Sequence, residues 1–344
     1  MMKQWVVRGS NGADSLHLEE APIPVPGEYE ILIKFHAASL NCRDIMVSSG
    51  TYIWPVRDGV VPGSDAAGEV IQTGNKVTRF RPGQRVSPIL HLSHLYGTIT
   101  ESDFSSGLGA SHNGVFRQYA VYNEHSCVEI PSTLSYREAA TLPCAAVTAW
   151  NALYGGPRSL RPGETVLTQG TGGVSIFALQ FAKVGGAQVI STTSGVGKAE
   201  RLKREGADHV INYREDERWG MTAKKVSRRE RGADFVVEIG GVNTMVQSGQ
   251  AVAIDGQIAV IGRRAGAKSG DGGGGEGSHG TSIATIRRIL VGSRQLQEEM
   301  NAAIEVNGLK PVIDEGVFSL HELKEAYMYL ESGQHLGKVV IDVD

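Results

Sequence analysis

Gly163-Glu-Thr-Val-Leu-Thr-Gln-Gly-Thr-Gly-Gly-Val-Ser175, followed by a run of helical period and then by Ala187-Gln-Val-Ile-Ser-Thr-Thr193, is the stretch that decides the fold. It reads as strand, tight glycine turn, helix, strand. Gly170 and Gly172 take the first two positions of a dinucleotide fingerprint, where the missing Cβ permits a sharp turn and lets backbone N–H groups approach a pyrophosphate. The turn Gly170, Thr171, Gly172, Gly173, Val174 then opens a helix whose N-terminus favours an anion. Ser175 holds the third position, so the pattern departs from the full glycine form while keeping a small side chain for close helix–strand packing. Val174, Phe177, Phe181 and Val184 recur at helical spacing, and this context favours a dinucleotide site over a glycine-rich loop of some other α/β protein.

The second strand bears on which nucleotide. An NAD site places a carboxylate at its end, about 20 residues into the motif, to accept from the ribose 2′-hydroxyl. Here Ser191, Thr192, Thr193 and Ser194 stand instead, followed by Lys198 and Arg201. Hydroxyls and cations donate to a 2′-phosphate that a carboxylate would repel, so NADP(H) is the expected cofactor. Lys198 and Arg201 as the solvated face of the next helix is the competing reading.

A chain of 344 residues with 41% apolar content is long enough for two cores. A formal net charge of −3, with signs mixed, argues against nucleic acid or an anionic membrane as partner. Cys42, Cys127 and Cys144 are too few and scattered for a disulfide framework, and neither a signal peptide nor a transmembrane run is visible, so the cytoplasm is the expected compartment. Residues 1–127 are β-rich, with Glu30-Ile-Leu-Ile-Lys-Phe and Ala67-Gly-Glu-Val-Ile-Gln as strands; from Glu164 to about Ser293 strands and helices alternate, which predicts a parallel sheet wrapped by helices. The tail, with two helical patterns and the strand Lys338-Val-Val-Ile-Asp, is expected to rejoin the first domain. Residues 265–281 are nearly all glycine and polar, and read as a loop.

Several motifs converge at this point: Val61-Pro-Gly-Ser-Asp-Ala-Ala-Gly-Glu-Val, Gly114-Val-Phe-Arg-Gln-Tyr, Leu142-Pro-Cys-Ala-Ala-Val-Thr-Ala-Trp, Gly206-Ala-Asp-His-Val-Ile-Asn-Tyr and Gly337-Lys-Val-Val. Over nearly its whole length the chain resembles the medium-chain dehydrogenase/reductase superfamily, and within it the zinc-independent quinone-reductase-like and enoyl-reductase-like branches. The resemblance implies an α/β protein with a GroES-like catalytic domain, 1–127 completed by 294–344, and a Rossmann NADP-binding domain of doubly wound parallel sheet, 128–293. It also implies an active site in the cleft between the two, and a homodimer. Where zinc-dependent members carry a ligand cysteine and a Gly-His-Glu, this chain has Asn41 and Gly63-Ser64-Asp65, and Cys42 lies one position away from the ligand position. Two of the three protein ligands that catalytic zinc wants are replaced by poor ones, so no metal is expected. His91, His94 and His112 remain a conceivable metal set, although histidines of a polar loop are more often solvated.

Without a Lewis acid, reduction of an α,β-unsaturated carbonyl is favoured, because hydride at the β-carbon makes an enolate, less basic than an alkoxide, that hydrogen-bond donors can hold. The resemblance points to Tyr52 as a proton donor and to Asn41 beside the nicotinamide; Tyr52 as a hydrophobic wall of the pocket is nearly as good a reading. Asp44 and Asp65 orient these groups or satisfy local backbone donors. By resemblance Thr148 lies beside the nicotinamide and Tyr213 beside the 2′-phosphate. Ile239 and Gly262 stand at strand ends, at the carboxyl edge where such sheets bind ligands. The reading is an NADPH-dependent reductase of a hydrophobic enone, quinone or unsaturated thioester-like substrate. An NADP-dependent alcohol or carbonyl oxidoreductase and a catalytically lapsed NADPH-binding protein are the alternatives.

Overall fold

Every residue of the strand Thr165–Gln169 is buried, as a strand covered on both faces must be. It lies inside a six-stranded, all-parallel sheet in the order His209–Asn212, Gln188–Thr193, Thr165–Gln169, Ala233–Glu238, Val252–Val260, Ala284–Arg288. Strand order reverses at Thr165–Gln169, the switch point of a doubly wound Rossmann sheet. The helix Gly173–Val184 begins directly after the glycine turn and buries Ile176, Phe177, Leu179 and Phe181; Val184, assigned to its apolar face by spacing, is exposed at the last turn. These observations come from a computed structural model that describes residues 1–262 and 283–343. The glycine-rich segment 265–281 falls outside the described residues.

The chain divides into two compact units, Met1–Val147 with Gly292–Asp344, and Thr148–Val291. The expected change of domain after residue 127 is therefore corrected by about twenty residues. The strand Cys127–Glu129 pairs with Arg85–Pro88, the Cys144 N–H donates to Asp65, and Arg137 is ion-paired with Asp342, so the helical composition that starts at Ser135 still belongs to the first unit.

In that unit the long strand Glu30–Ser39 is the organising element. It pairs antiparallel with Asp65–Thr73 on one edge, and on the other with Tyr119–Asn123 along its first half and Lys338–Asp342 along its second. Ile31, Ile33, Phe35, Val70, Phe116 and Ile341 pack into one apolar cluster around it. Register then does chemical work. Ser39 faces Asp65 on one side and Val340 on the other, and the Leu40 N–H donates to Val339 O at 3.0 Å, so the ends of three strands bring Asn41, Asp65 and Lys338 together. A strand missed in the sequence, Ile313–Ser319, runs parallel to Lys338–Asp342 as the outer member. Among the described residues no helix is long and apolar enough to cross a membrane.

At the carboxyl end of the parallel sheet, Gln169 and Glu238 form a buried network. Gln169 Nε2 donates to Glu238 Oε2 and Ser248 Oγ, both at 2.8 Å, while its Oε1 accepts from the N–H groups of Ile239 and Gly240 at 3.0 and 3.2 Å. Glu238 Oε1 accepts from Gly241 N at 2.9 Å. Beside it a Cβ added to Gly262 would lie 1.7 Å from Ile239 O, so two strand ends pass with room only for glycine. Gly262→Ala is expected to destabilise this unit by about 2 kcal/mol or more, as overpacking against backbone does. Chemical denaturation of the variant checks it, and a loss below about 0.5 kcal/mol contradicts the contact.

Candidate active site

Asn41 precedes the short helix Cys42–Ser48 and is tied to it twice: its N–H donates to Asp44 Oδ2 at 2.8 Å and its carbonyl accepts from Asp44 N at 2.9 Å. The Asn41 side chain turns to Lys338, whose Nζ donates to Asn41 Oδ1 and Leu40 O, both at 2.6 Å, and lies 3.5 Å from Asp65 Oδ2. Lys338 is 3% exposed and Asp65 fully buried. Asp65 also accepts from Ser64 Oγ at 2.7 Å and from Cys144 N at 3.3 Å. Asn41 Nδ2 is buried and meets no acceptor among the described residues.

Arg43, two residues on, leans its guanidinium on Asp44 at 3.4 Å and on Tyr52, donating from Nε to the phenolic oxygen at 3.4 Å with its Cζ 5.1 Å from the ring centroid. Burial alone would lower the Arg43 pKa, but Tyr52 and Asp44 outweigh it and hold the group firmly cationic. Burial pushes the Asp44 carboxyl up to about 6 against the pull of Arg43. Tyr52 opens an aromatic wall: Trp54 meets it edge-on at 5.2 Å, Phe104 lies 5.4 Å from Trp54, and His91 6.2 Å from Phe104. Both carboxylates thus satisfy backbone donors, Asp44 the Asn41 N–H and Asp65 the Cys144 N–H, and Asp65 also faces a buried ammonium.

The glycine turn lies in the other unit. Gly170 has φ +76°, a backbone conformation that itself favours glycine, and a Cβ built on Gly170 or Gly172 meets none of the described residues within 4 Å. Packing among the described residues therefore does not explain Gly172, and a pyrophosphate on the backbone N–H groups at the helix start fits there. Gly172 caps the helix Gly173–Val184 without any side-chain hydrogen bond. Ser175, at the third fingerprint position, is 2% exposed and donates to Gln169 O at 2.6 Å, which ties the helix to the strand end. Thr171 and Thr148 are buried at 7% and 3% exposure. Ile239 and Gly262 follow their strands as expected.

Three expectations need correction. Ser191, Thr192 and Thr193 lie within the strand Gln188–Thr193 and are buried, with Ser191 Oγ 2.8 Å from Thr168 Oγ1, so only Ser194 reaches the surface from that set. Arg201 is engaged by Glu205 at 2.9 Å on its own helix. Tyr213, 42% exposed, stays in place beside Thr193 through a backbone bond of 3.0 Å. His91 and His94 are not solvated: they are 4% and 5% exposed, because segment 87–113 folds into a buried framework in which Ser93 bonds Asp103 at 2.7 Å and His94 Nε2 lies 3.0 Å from Gly97 O. Burial, Arg43 and His94 drive the His91 pKa down to about 4, leaving a neutral ring. His112 is exposed, and no three or more His, Cys, Asp or Glu side chains among the described residues converge as a metal site. Sequence reasoning passed over Arg43 and Lys338, although both lie inside stretches it had singled out.

Comparison with known proteins sets this geometry in context. Residues 27–132 match the alcohol dehydrogenase GroES-like domain and residues 205–341 the zinc-binding dehydrogenase family. A zinc-type alcohol dehydrogenase-like protein of Schizosaccharomyces pombe is 42% identical, with 100% of both chains covered. A 2-methylene-furan-3-one reductase of Solanum lycopersicum is 30% identical over 99% of this chain and 79% of its own length. The solved structure of a candidate alcohol dehydrogenase from Sinorhizobium meliloti 1021 superposes with a TM-score of 0.90 at 39% identity, covering 99% of this chain and 98% of that one.

His91 and Asp44 give the site opposed pH dependences. The folded pKa of His91, about 4, lies below its ordinary 6.5, so its contribution to stability is complete above pH 6.5 and is lost as pH falls through 4. Asp44, raised from 3.8 to about 6, contributes below pH 4, and that contribution is lost as pH rises through 6. His91→Gln should remove a slope worth about 3 kcal/mol across this window, leaving stability that declines as pH rises from 4 to 6 relative to the parent. Denaturation midpoints measured at half-unit pH steps read this; parallel curves for parent and variant would contradict the assignment.

Proposed function

This chain belongs to the medium-chain dehydrogenase/reductase superfamily, and we propose that it is an NADPH-dependent, metal-independent reductase of an α,β-unsaturated carbonyl compound or quinone. That it is an oxidoreductase with a nicotinamide-dinucleotide-binding domain follows from the family. The observation that carries the finer reading is the donor set: an amide N–H at Asn41 without an acceptor among the described residues and a phenol at Tyr52, next to the fixed cation of Arg43 and an aromatic wall.

When bound, NADPH supplies the hydride. The turn Gly170–Val174 would hold its pyrophosphate on backbone N–H groups at the helix start, with Ser194, Lys198 and Tyr213 toward the 2′-phosphate and Thr148, Ile239 and Gly262 toward the nicotinamide half. As the substrate β-carbon gains an electron pair, the C=C pair shifts toward the carbonyl and its oxygen becomes negative. Asn41 Nδ2 and the Tyr52 hydroxyl are the groups that would donate to this oxygen. Tyr52 accepts from Arg43, which leaves its own proton free to be given, and a proton finally added at the α-carbon completes the reduction. Trp54 and Phe104 suit an apolar substrate body and exclude water.

Metal chemistry fits these residues poorly. Asn41 Oδ1 already accepts from the Lys338 ammonium, and a divalent cation placed there would face that charge at short range. The name of the tomato relative, a reductase of a methylene-furanone, agrees with conjugate reduction. The reading extends to a homodimer acting on a small molecule in the cytoplasm.

NADPH oxidation with a panel of enones, quinones and aldehydes tests the reaction; turnover with aldehydes alone would replace conjugate with direct carbonyl reduction. Lys198→Ala should weaken NADPH binding by on the order of 1 to 3 kcal/mol and leave NADH nearly unchanged. Gly172→Ala should fold as the parent does, since none of the described residues lies within 4 Å of the added methyl, yet lose nucleotide affinity at least tenfold; unchanged affinity would remove the pyrophosphate from that turn. Tyr52→Phe should slow turnover roughly 10- to 1000-fold with NADPH binding intact, and a change under threefold would make the ring only a wall.

A further inference from the structure

Lys338 is buried, donates to Leu40 O and Asn41 Oδ1, and is ion-paired with Asp65 Oδ2 at 3.5 Å. A primary amide has one acceptor end and one donor end, and an ammonium tolerates only the acceptor. The contact at 2.6 Å therefore decides which way the Asn41 amide faces and leaves its NH₂ turned away from the lysine. That NH₂ is the buried donor with no acceptor among the described residues. An orphaned donor of this kind is costly unless a ligand completes it. An ammonium on the amide oxygen also draws electron density through the amide and strengthens its N–H bonds as donors.

We propose that Lys338 is a positioning residue that orients and polarises the Asn41 amide so that Nδ2 donates to the oxygen that becomes negative during reduction. Asp65 anchors the lysine from the other side, and Ser64 Oγ and Cys144 N hold Asp65. The main chain assists, because Asp44 fixes the Asn41 N–H and the final strand fixes Leu40. The cation thus acts at one remove: a positive charge is held behind an amide, and only the amide meets substrate.

The inference rests on the reductase reading for its kinetic arm, so a second arm needs no turnover. Lys338→Met alone would strand the buried Asp65, so it is combined with Asp65→Asn, which removes both charges and preserves shape. Compared are this pair, Asn41→Ala, and all three changes together, each checked for parental melting behaviour. Asn41→Ala is expected to lower kcat on the order of 100-fold with little change in KM, as loss of an oxyanion donor does. The Lys338/Asp65 pair should lower kcat by a similar factor, and the triple variant should be no slower than Asn41→Ala alone, because the lysine acts through that amide. Multiplied losses in the triple variant would overturn the proposal, since a lysine that merely supports the fold gives independent effects. In the second arm, ¹⁵N NMR follows the Asn41 side-chain amide, assigned by its absence in Asn41→Ala. Its resonance should shift and split into two orientations when the pair is introduced; a resonance unmoved by removal of the ammonium would overturn the proposal even where the kinetics are unreadable. If the parent turns over no acceptor yet the resonance responds as expected, the reductase reading fails and the positioning stands.

Discussion

An ammonium group removed from water must find acceptors for all its protons, and in the first unit much of the local architecture answers that demand at Lys338. Its neighbours are a backbone carbonyl and an amide, both from just beyond the end of the strand Glu30–Ser39, and a carboxylate from the start of Asp65–Thr73. Desolvating such a pair is expensive, and an apolar substitute of the same shape often stabilises a fold more. A lysine retained at this depth is therefore better explained by what it does to its neighbours than by what it adds to stability. Asn41 is the neighbour with a donor to spare.

Glycine shows how one residue type can serve opposed purposes. At Gly262, and at Gly114, where a Cβ would sit 1.9 Å from Gly63 O, the residue is small because protein is already there. At Gly172 a Cβ would meet none of the described residues within 4 Å, and glycine there leaves the backbone N–H groups at the helix start uncovered. The Gln169–Glu238 network stands behind the turn as its rigid support, with Gln169 closing the strand that feeds the turn and bonding the backbone just after the neighbouring strand.

Most of the parallel sheet was legible in the sequence because its inner strands are short apolar runs followed by a helical period, and periodicity of that sort is local; the edge strand Ala284–Arg288, polar at its end, was not. The turn at Gly170 was legible for the same reason, whereas Asn41 was picked out by resemblance. What escaped was set by long-range register. Lys338 sat within a quoted motif, yet nothing near it in sequence announces an amide 297 positions away. Ser191 to Thr193 were assigned to the ligand by composition, but in a strand covered on both faces polar side chains can be inside as readily as apolar ones. His91 and His94 were expected in water because their neighbours are polar; those neighbours bond one another and enclose the rings. The boundary placed at residue 127 followed a change of composition, whereas the chain changes units only after Val147.

The first unit is made of two stretches of chain with the whole of the second between them. A ribosome that has produced residues 1–291 has supplied all of Thr148–Val291, which can close its own core, while the strand Glu30–Ser39 still lacks its partner Lys338–Asp342. Synthesis thus imposes an order: the nucleotide-binding unit can mature first, and the other must wait with an open edge and an unanswered Asp65. Contacts of such sequence separation are slow to form and leave strand edges exposed in the meantime. The same strand that delivers the lysine is the one that seals this edge, so the ion pair with Asp65 and the closed edge arise in a single late event.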